Sequence, residues 1–235
     1  MKKLVVASNM FNERDQVEEW IAFVKDIADG GILIVDSGST DDTIEFFQAK
    51  GVPVIVDKII QTEGYGPARN HLRSMAHQMY PDAHWLLYLD ADERILPQDY
   101  FELRYLKDNL HERFDVIALP RRDCYDETMK TAKNDIYKSP DYQGRMSRLG
   151  SPLQYVRRCH EQIVDCFGIY AQVTNPVIQH LHKTTDQKKR DFIGKLCADL
   201  HRRDELGHTY PEHHKEAHYR ELLDKEGLLG GEENE

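Results

Sequence analysis

Four short apolar runs, Leu4–Ser8, Ile32–Val35, Val54–Val56 and Trp85–Leu89, alternate with segments whose apolar residues recur at helical spacing. Between the first two runs, Val17, Trp20, Ile21, Val24, Ile27 and Ala28 fall on one helical face. A second helix is predicted through Ile44, Phe46 and Phe47, and a third over Pro67–Met79. The resulting β-α-β-α-β-α-β order predicts an α/β fold with a doubly wound, mainly parallel sheet, right-handed crossovers and helices on both faces.

Beyond Trp85–Leu89 the pattern is less regular. Tyr100–Leu110 reads as a helix and Val116–Pro120 as a strand. Residues 121–151 are polar, aromatic and arginine-rich, and suit loops and short strands around a cleft. Gln187–Leu200 and His213–Leu223 read as terminal helices, and residues 230–235 as a disordered tail. The expected organisation is therefore one domain over 1–182 and a C-terminal helical extension over 183–235.

Apolar residues at 40% and charged residues at 31% describe a soluble globular chain. A net charge of −10 argues against a large non-specific nucleic-acid surface, though a local basic groove is compatible with it. The apolar stretch after Met1 is too short for a signal peptide, and no later one is long enough to span a bilayer. Cys124, Cys159, Cys166 and Cys197 lack CxxC pairing and read as reduced thiols of a cytoplasmic protein.

The chemistry concentrates where strands end. Trp85–Leu89 runs into Asp90-Ala91-Asp92-Glu93, which brings three carboxylates to the carboxyl edge of a sheet, where open α/β folds bind ligands. Carboxylates crowded together repel unless a cation joins them, and a hard divalent ion with attached phosphates is the usual solution. An Asp-rich turn without a ligand is the plain alternative. After the second strand comes Asp36-Ser37-Gly38-Ser39-Thr40-Asp41, where Gly38 permits a tight turn and Thr40 or Asp41 can cap the next helix. Gly64-Tyr65-Gly66-Pro67-Ala68-Arg69-Asn70 opens the third helix, so its N-terminus and Arg69 offer a phosphate both N–H groups and a guanidinium. Asn9, Asn12 and Glu13 follow the first strand and complete a polar ring.

Taken in order, Asn12-Glu13, Asp36 to Asp41, Gly66 to Asn70 and Asp90 to Glu93 resemble the nucleotide-sugar domain of family 2 glycosyltransferases, which have the GT-A fold. The likeness continues through Asp141 to Leu149 and Cys159-His160-Glu161, as in small bacterial members that modify lipopolysaccharide cores or peptides, and covers about 1–182. It implies metal-dependent transfer of a sugar from a nucleotide-diphosphate sugar to a hydroxyl acceptor, with inversion. Asp36 would contact the base with Ser8, Asn9 and Glu13 nearby, Arg69 the base or pyrophosphate, and Asp90 the ribose. Asp92 of the DXD motif would ligate Mn²⁺ or Mg²⁺, completed by His180 or His182. Glu161 is the leading catalytic base and Glu93 its rival, while Arg145, Arg148 and His160 belong to the acceptor region.

The chain departs from the family where Arg145-Met146-Ser147-Arg148 replaces the more usual Arg-Leu-Phe-Arg, which puts the acceptor pocket in doubt. His201, His208, His213, His214 and His218 have no family counterpart; His213, His214 and His218 read as metal ligands or as a solvated helix face. Arg121-Arg122, Arg145, Arg148 and Arg157-Arg158, extended by Lys188-Lys189-Arg190, read as solvated charges, donor-phosphate contacts or a groove for an anionic acceptor. Lipopolysaccharide phosphates, acidic polysaccharide and DNA all suit such a groove, and peripheral membrane contact is compatible. Two rival readings remain. A nucleotidyltransferase is disfavoured by the glycine-free Asn9–Glu13 segment. A non-catalytic nucleotide or glycan sensor would bind donor without turnover.

Overall fold

The computed structural model describes residues 1–124, 141–166, 168–181 and 187–207, with the side chains of 191–204 in the last segment. Strands β1 (Leu4–Met10), β2 (Gly31–Asp36), β3 (Val54–Val56) and β4 (Trp85–Tyr88) lie side by side in the order β3-β2-β1-β4, all parallel. Helices α1 (Val17–Ile27) and α2 (Thr43–Ala49) make the first two crossovers, and α3 (Ile59–Glu63) with α4 (Tyr65–Met79) the third.

Successive residues of a strand face opposite sides of the sheet, which explains the two cores. Leu4, Val6, Ile34, Trp85 and Leu87 pack with Val17, Trp20, Val24, Phe47 and Leu103, on the face covered by α1, α2 and α5 (Tyr100–Asn109). Val5, Ala7, Leu33, Val35, Leu86 and Tyr88 pack with Leu72 and Ala76 of α4 on the other. The crossovers reverse direction between β1 and β4. That switch point opens a crevice at the carboxyl ends of the strands.

The second half differs from the sequence expectation. Residues 141–148, expected in loops and short strands around a cleft, form β7 (Asp141–Arg148), a central antiparallel strand between β4 and β6 (Phe114–Cys124). Its Met146 is fully buried. The strand reads as a loop because one core methionine stands among polar residues whose partners are distant in sequence. After β5 (Glu93–Ile95), β8 (Gln154–Val156) and β9 (Gln162–Val164), the strands β10 (Ile169–Gln172) and β11 (Ile178–Leu181) both join β6 in parallel, and β11 also pairs antiparallel with β5. Helix α6 (Gln187–Gly207) ends the described chain. The predicted 213–223 helix, His208, His213, His214 and His218 lie outside the described residues, as do the side chains of Lys188, Lys189 and Arg190. Among the described residues, no helix is long and apolar enough to cross a membrane.

Candidate active site

The site is built on loops fixed by backbone hydrogen bonds. Asp36 ends β2 and is fully buried. Its Oδ1 accepts the Gly38 and Ser39 amides at 2.8 and 2.6 Å, and its Oδ2 accepts the Ser39 hydroxyl at 2.7 Å. The Asn12 amide donates to Ser39 Oγ, and Asn12 Oδ1 accepts the Thr40 amide at 2.7 Å, so the β1 and β2 loops are tied together. Asp41 accepts the Thr43 amide, but the N-cap position of α2 is Asp42, without a side-chain cap, rather than the expected Thr40 or Asp41, while the Glu13 carbonyl accepts the amides that begin α1. Beside this frame, Asn9 holds a buried carboxamide whose oxygen and nitrogen have no hydrogen-bond partner among the described residues. Ser37 Oγ is in the same condition, and Ser8 donates to the Asn9 carbonyl. Buried polar atoms are paired in most proteins, so orphans at a sheet edge point to a ligand.

The Asp90–Glu93 turn divides its carboxylates between tasks. Glu93 is fully buried, accepting the Asp90 amide at 3.0 Å on one oxygen and Arg145 at 2.6 Å on the other. Burial pushes its carboxyl up, against the pull of Arg145. Arg145 also donates to Asp90 at 2.7 Å, and its Nε and Nη1 are buried without partners among the described residues. Burial opposes the Asp90 charge, yet Arg145 and Arg69 outweigh it and hold that carboxyl well below its usual range. Arg94 knits the turn to the loop before α1, donating to the Ala91, Glu93 and Gln16 carbonyls.

Asp92 is left facing outward and meets His180. The pairing of β11 with β5 sets His180 opposite Glu93, and the Leu181 amide donates to the Asp92 carbonyl at 2.9 Å. His180 Nε2 lies 3.2 Å from Asp92 Oδ2, and Nδ1 lies 2.8 Å from Asp123 Oδ1. Burial opposes a charged imidazole, but the hydrogen bond and charge of Asp92, then Glu93 and Asp123, raise His180 to about 9. A separation of 3.2 Å fits the edge of an octahedron with bonds near 2.1 Å, so one hard divalent ion fits between Asp92 and His180. Asp123 on the far ring nitrogen fixes the imidazole as histidine ligands require. His182 lies outside the described residues. Asp123 carried no sequence signal, because its place depends on the β6–β11 register that sets it opposite His180.

Arg69 lies over the Tyr88 ring, 3.9 Å from its centroid, and forms an ion pair with Glu161. The expectation that the N-terminus of α4 presents free N–H groups to a phosphate is corrected. The Tyr65 and Gly66 amides donate to the Arg158 and Arg157 carbonyls of the loop between β8 and β9. A Cβ on Gly66 would lie 2.4 Å from the Arg157 oxygen, so only glycine permits that approach. This clamp brings Glu161 to Arg69. His160, with φ of 51°, is exposed beside it and sits against His201 rather than facing Asp92.

The arginines that read as solvated charges, donor-phosphate contacts or an anionic groove have the following surroundings. Arg148 lies opposite Trp85, at the other end of β4 from Asp90, and pairs with Asp115. Arg145 is buried, Arg121 pairs with Asp141 at 2.7 Å, and Arg158 serves the Glu63 carbonyl and Asp204. Arg121, Arg145, Arg148 and Arg158 thus each have a carboxylate or carbonyl partner, on separate elements.

Comparison with known proteins bears on the family and the fold. The Glycosyl transferase family 2 profile matches residues 6–173. A Rickettsia typhi protein described as an uncharacterized glycosyltransferase is 31% identical over 198 residues, covering 83% of this chain and 57% of the relative. A second from Rickettsia prowazekii is 31% identical over 106 residues, covering 45% of this chain and 33% of its own. The chain thus spans 57% and 33% of the lengths of these curated relatives. Mannosyl-3-phosphoglycerate synthase from Rubrobacter xylanophilus superposes with a TM-score of 0.52 at 16% identity, over 99% of this chain and 77% of that one. A mannosyltransferase from Pyrobaculum calidifontis, solved with GDP-Man and Mn²⁺, superposes with a TM-score of 0.53 at 13% identity, over 97% and 69%. These likenesses show the GT-A fold.

Proposed function

We propose that this chain, which belongs to glycosyltransferase family 2, transfers a sugar from a nucleotide-diphosphate sugar to a hydroxyl of a glycan, with inversion and with Mn²⁺ or Mg²⁺. The observation that carries the reading is the Asp92–His180 pair, 3.2 Å apart and backed by Asp123, at the carboxyl edge of the switch point. The Mn²⁺ bound with GDP-Man in the Pyrobaculum mannosyltransferase supports this choice of ion.

In this reading Asn9, Ser8, Glu13 and the Asp36 loop receive the nucleoside, and Asp90 faces the ribose. Asp92 and His180 would hold the ion, which when bound would supply positive charge to offset that developing on the diphosphate. Arg69 and the unpaired edge of Arg145 add positive charge beside the phosphates, where dipoles fixed in advance stabilise developing charge best. The acceptor oxygen bonds to the anomeric carbon, the carbon–oxygen bond to phosphate breaks, and its electron pair leaves with the nucleoside diphosphate. Glu161 takes the hydroxyl proton. Glu93 is unsuited to that role, because both of its oxygens are buried and engaged. The dispersed, paired arginines favour a glycan hydroxyl over a polyanion such as DNA.

The test is nucleoside diphosphate release from a panel of nucleotide sugars and glycan acceptors. Glu161→Gln should lower kcat by about 10²- to 10⁴-fold, with donor binding retained. Full activity in that variant would remove Glu161 from the mechanism. Donor binding without turnover, across a broad acceptor panel, would favour the sensor reading instead.

A further inference from the structure

A second group of metal-binding side chains lies away from the Asp92 edge, between the β8–β9 loop and α6. Cys159 and His160 are consecutive on the loop, and Cys197 and His201 are four residues apart on one face of the helix. The Cys159 sulfur and a ring nitrogen from each of His160 and His201 all lie within 4.8 Å of one another. The two imidazole rings stand 5.1 Å apart. The Cys197 thiol faces that of Cys159 and also meets the Tyr65 hydroxyl. We propose that Cys159, His160, Cys197 and His201 form a Cys₂His₂ site for a structural zinc ion that staples α6 to the loop carrying Glu161.

Three features support the assignment. Thiolate and imidazole donors select zinc, whereas the carboxylate–imidazole pair at Asp92 suits a harder ion, so the two sites differ in preference. Tetrahedral zinc sets its ligand atoms roughly 3.3–3.8 Å apart, so the Cys159, His160 and His201 atoms, already within 4.8 Å of one another, close by a shift of about 1 Å, and Cys197, one helical turn before His201, would supply the fourth ligand. The scaffold is also fixed in advance. Arg157 and His160 both have positive φ, a conformation held only where surroundings impose it. Those surroundings are the clamp from Tyr65 and Gly66, the Asp204 carboxylate accepting the Arg158 amide at 2.8 Å, and Arg203 donating to the Thr62 carbonyl. Cys159 and His201 are 4% and 9% exposed, so the centre would be shielded while His160 closes it from the solvent side. Because Glu161 follows His160, the ion would also fix the catalytic carboxylate; that consequence alone rests on the proposed function.

The test uses the full chain, purified with reductant, loaded with zinc and dialysed against metal-free buffer. Elemental analysis should find about one zinc per chain, falling at least roughly tenfold in the Cys197→Ser/His201→Ala double variant and unchanged in Asp92→Asn. Cobalt substituted into the wild-type chain should give the absorption of a tetrahedral ion with thiolate charge transfer, a readout that requires no variant to fold. Folded wild-type chain that retains no zinc would overturn the site. So would full retention by the double variant, or a cobalt spectrum without thiolate bands. Zinc bound to a chain that transfers no sugar would leave this site standing and remove the catalytic reading alone.

Discussion

At the scale of single residues, the Asp90–Glu93 turn shows how four neighbours come to differ. Ala91 packs in the core and Glu93 is buried to fix Arg145, while Asp90 is drawn to the guanidinium and Asp92 is turned to His180. Under the proposed function, Asp123 would act through His180, as a positioning residue. Replacing it with asparagine should weaken Mn²⁺ binding by about 10- to 100-fold while leaving nucleotide binding without metal unchanged. Calorimetric titration of the variant reads this directly, and an unchanged Mn²⁺ affinity would show that the Asp123 contact has no part in holding the ion. A pH dependence follows from His180, which must be neutral to ligate. Its proton is held up to about pH 9 in the metal-free chain. Mn²⁺ affinity should therefore rise about tenfold per pH unit toward pH 9 and then flatten. The same shift makes the metal-free chain gain stability from His180 below its ordinary value of 6.5, a gain lost as pH climbs through 9. Titrations at several pH values with a flat profile would contradict this.

At the scale of elements, the parallel half of the sheet was legible because each apolar run is continuous and each crossover helix is periodic. Leu4–Ser8, Ile32–Val35, Val54–Val56 and Trp85–Leu89 all became parallel strands at or within a few residues of the expected places. The antiparallel half was not. In β7, Gly144, Arg145 and Ser147 are polar or small because they face Ile163, the buried acidic turn and Arg73. None of those partners is near in sequence. The joint of α4 with the β8–β9 loop belongs to this half, and Gly66 is its critical contact. Gly66→Ala should cost about 1–3 kcal/mol in urea unfolding, because the added methyl meets backbone rather than a side chain that can move. A loss below about 0.5 kcal/mol, in the range of ordinary surface substitutions, would mean that the loop yields freely.

At the scale of the whole molecule, strand order explains why the candidate residues share one edge without fixing their roles. Asn9, Asp36, Asp90 and Asp92 lie at or just beyond strand ends, and parallel strands bring their ends to one edge whatever their spacing in the chain. His180 reaches that edge by a different route, through the pairing of β11 with both β5 and β6. The arginines were ambiguous in sequence for the opposite reason. Their charge is visible in sequence, but the carboxylates that neutralise them, Asp115 for Arg148 and Asp141 for Arg121, are not visible as partners. The His-rich C-terminus was likewise conspicuous, yet its one histidine that joins a cluster among the described residues is His201, grouped with Cys159 and His160 about forty residues away in sequence. What unites these cases is that composition reports charge and ligand type, whereas the sheet decides which groups meet. The most direct measurement is calorimetric binding of nucleoside diphosphates to the wild-type chain and to Asp92→Asn, each with Mn²⁺ and with EDTA. We predict tight binding of one diphosphate only for wild type with Mn²⁺, with Asp92→Asn folded and equally weak in both conditions. Binding indifferent to Mn²⁺, or unchanged in Asp92→Asn, would contradict a metal-bridged donor site at Asp92 and His180.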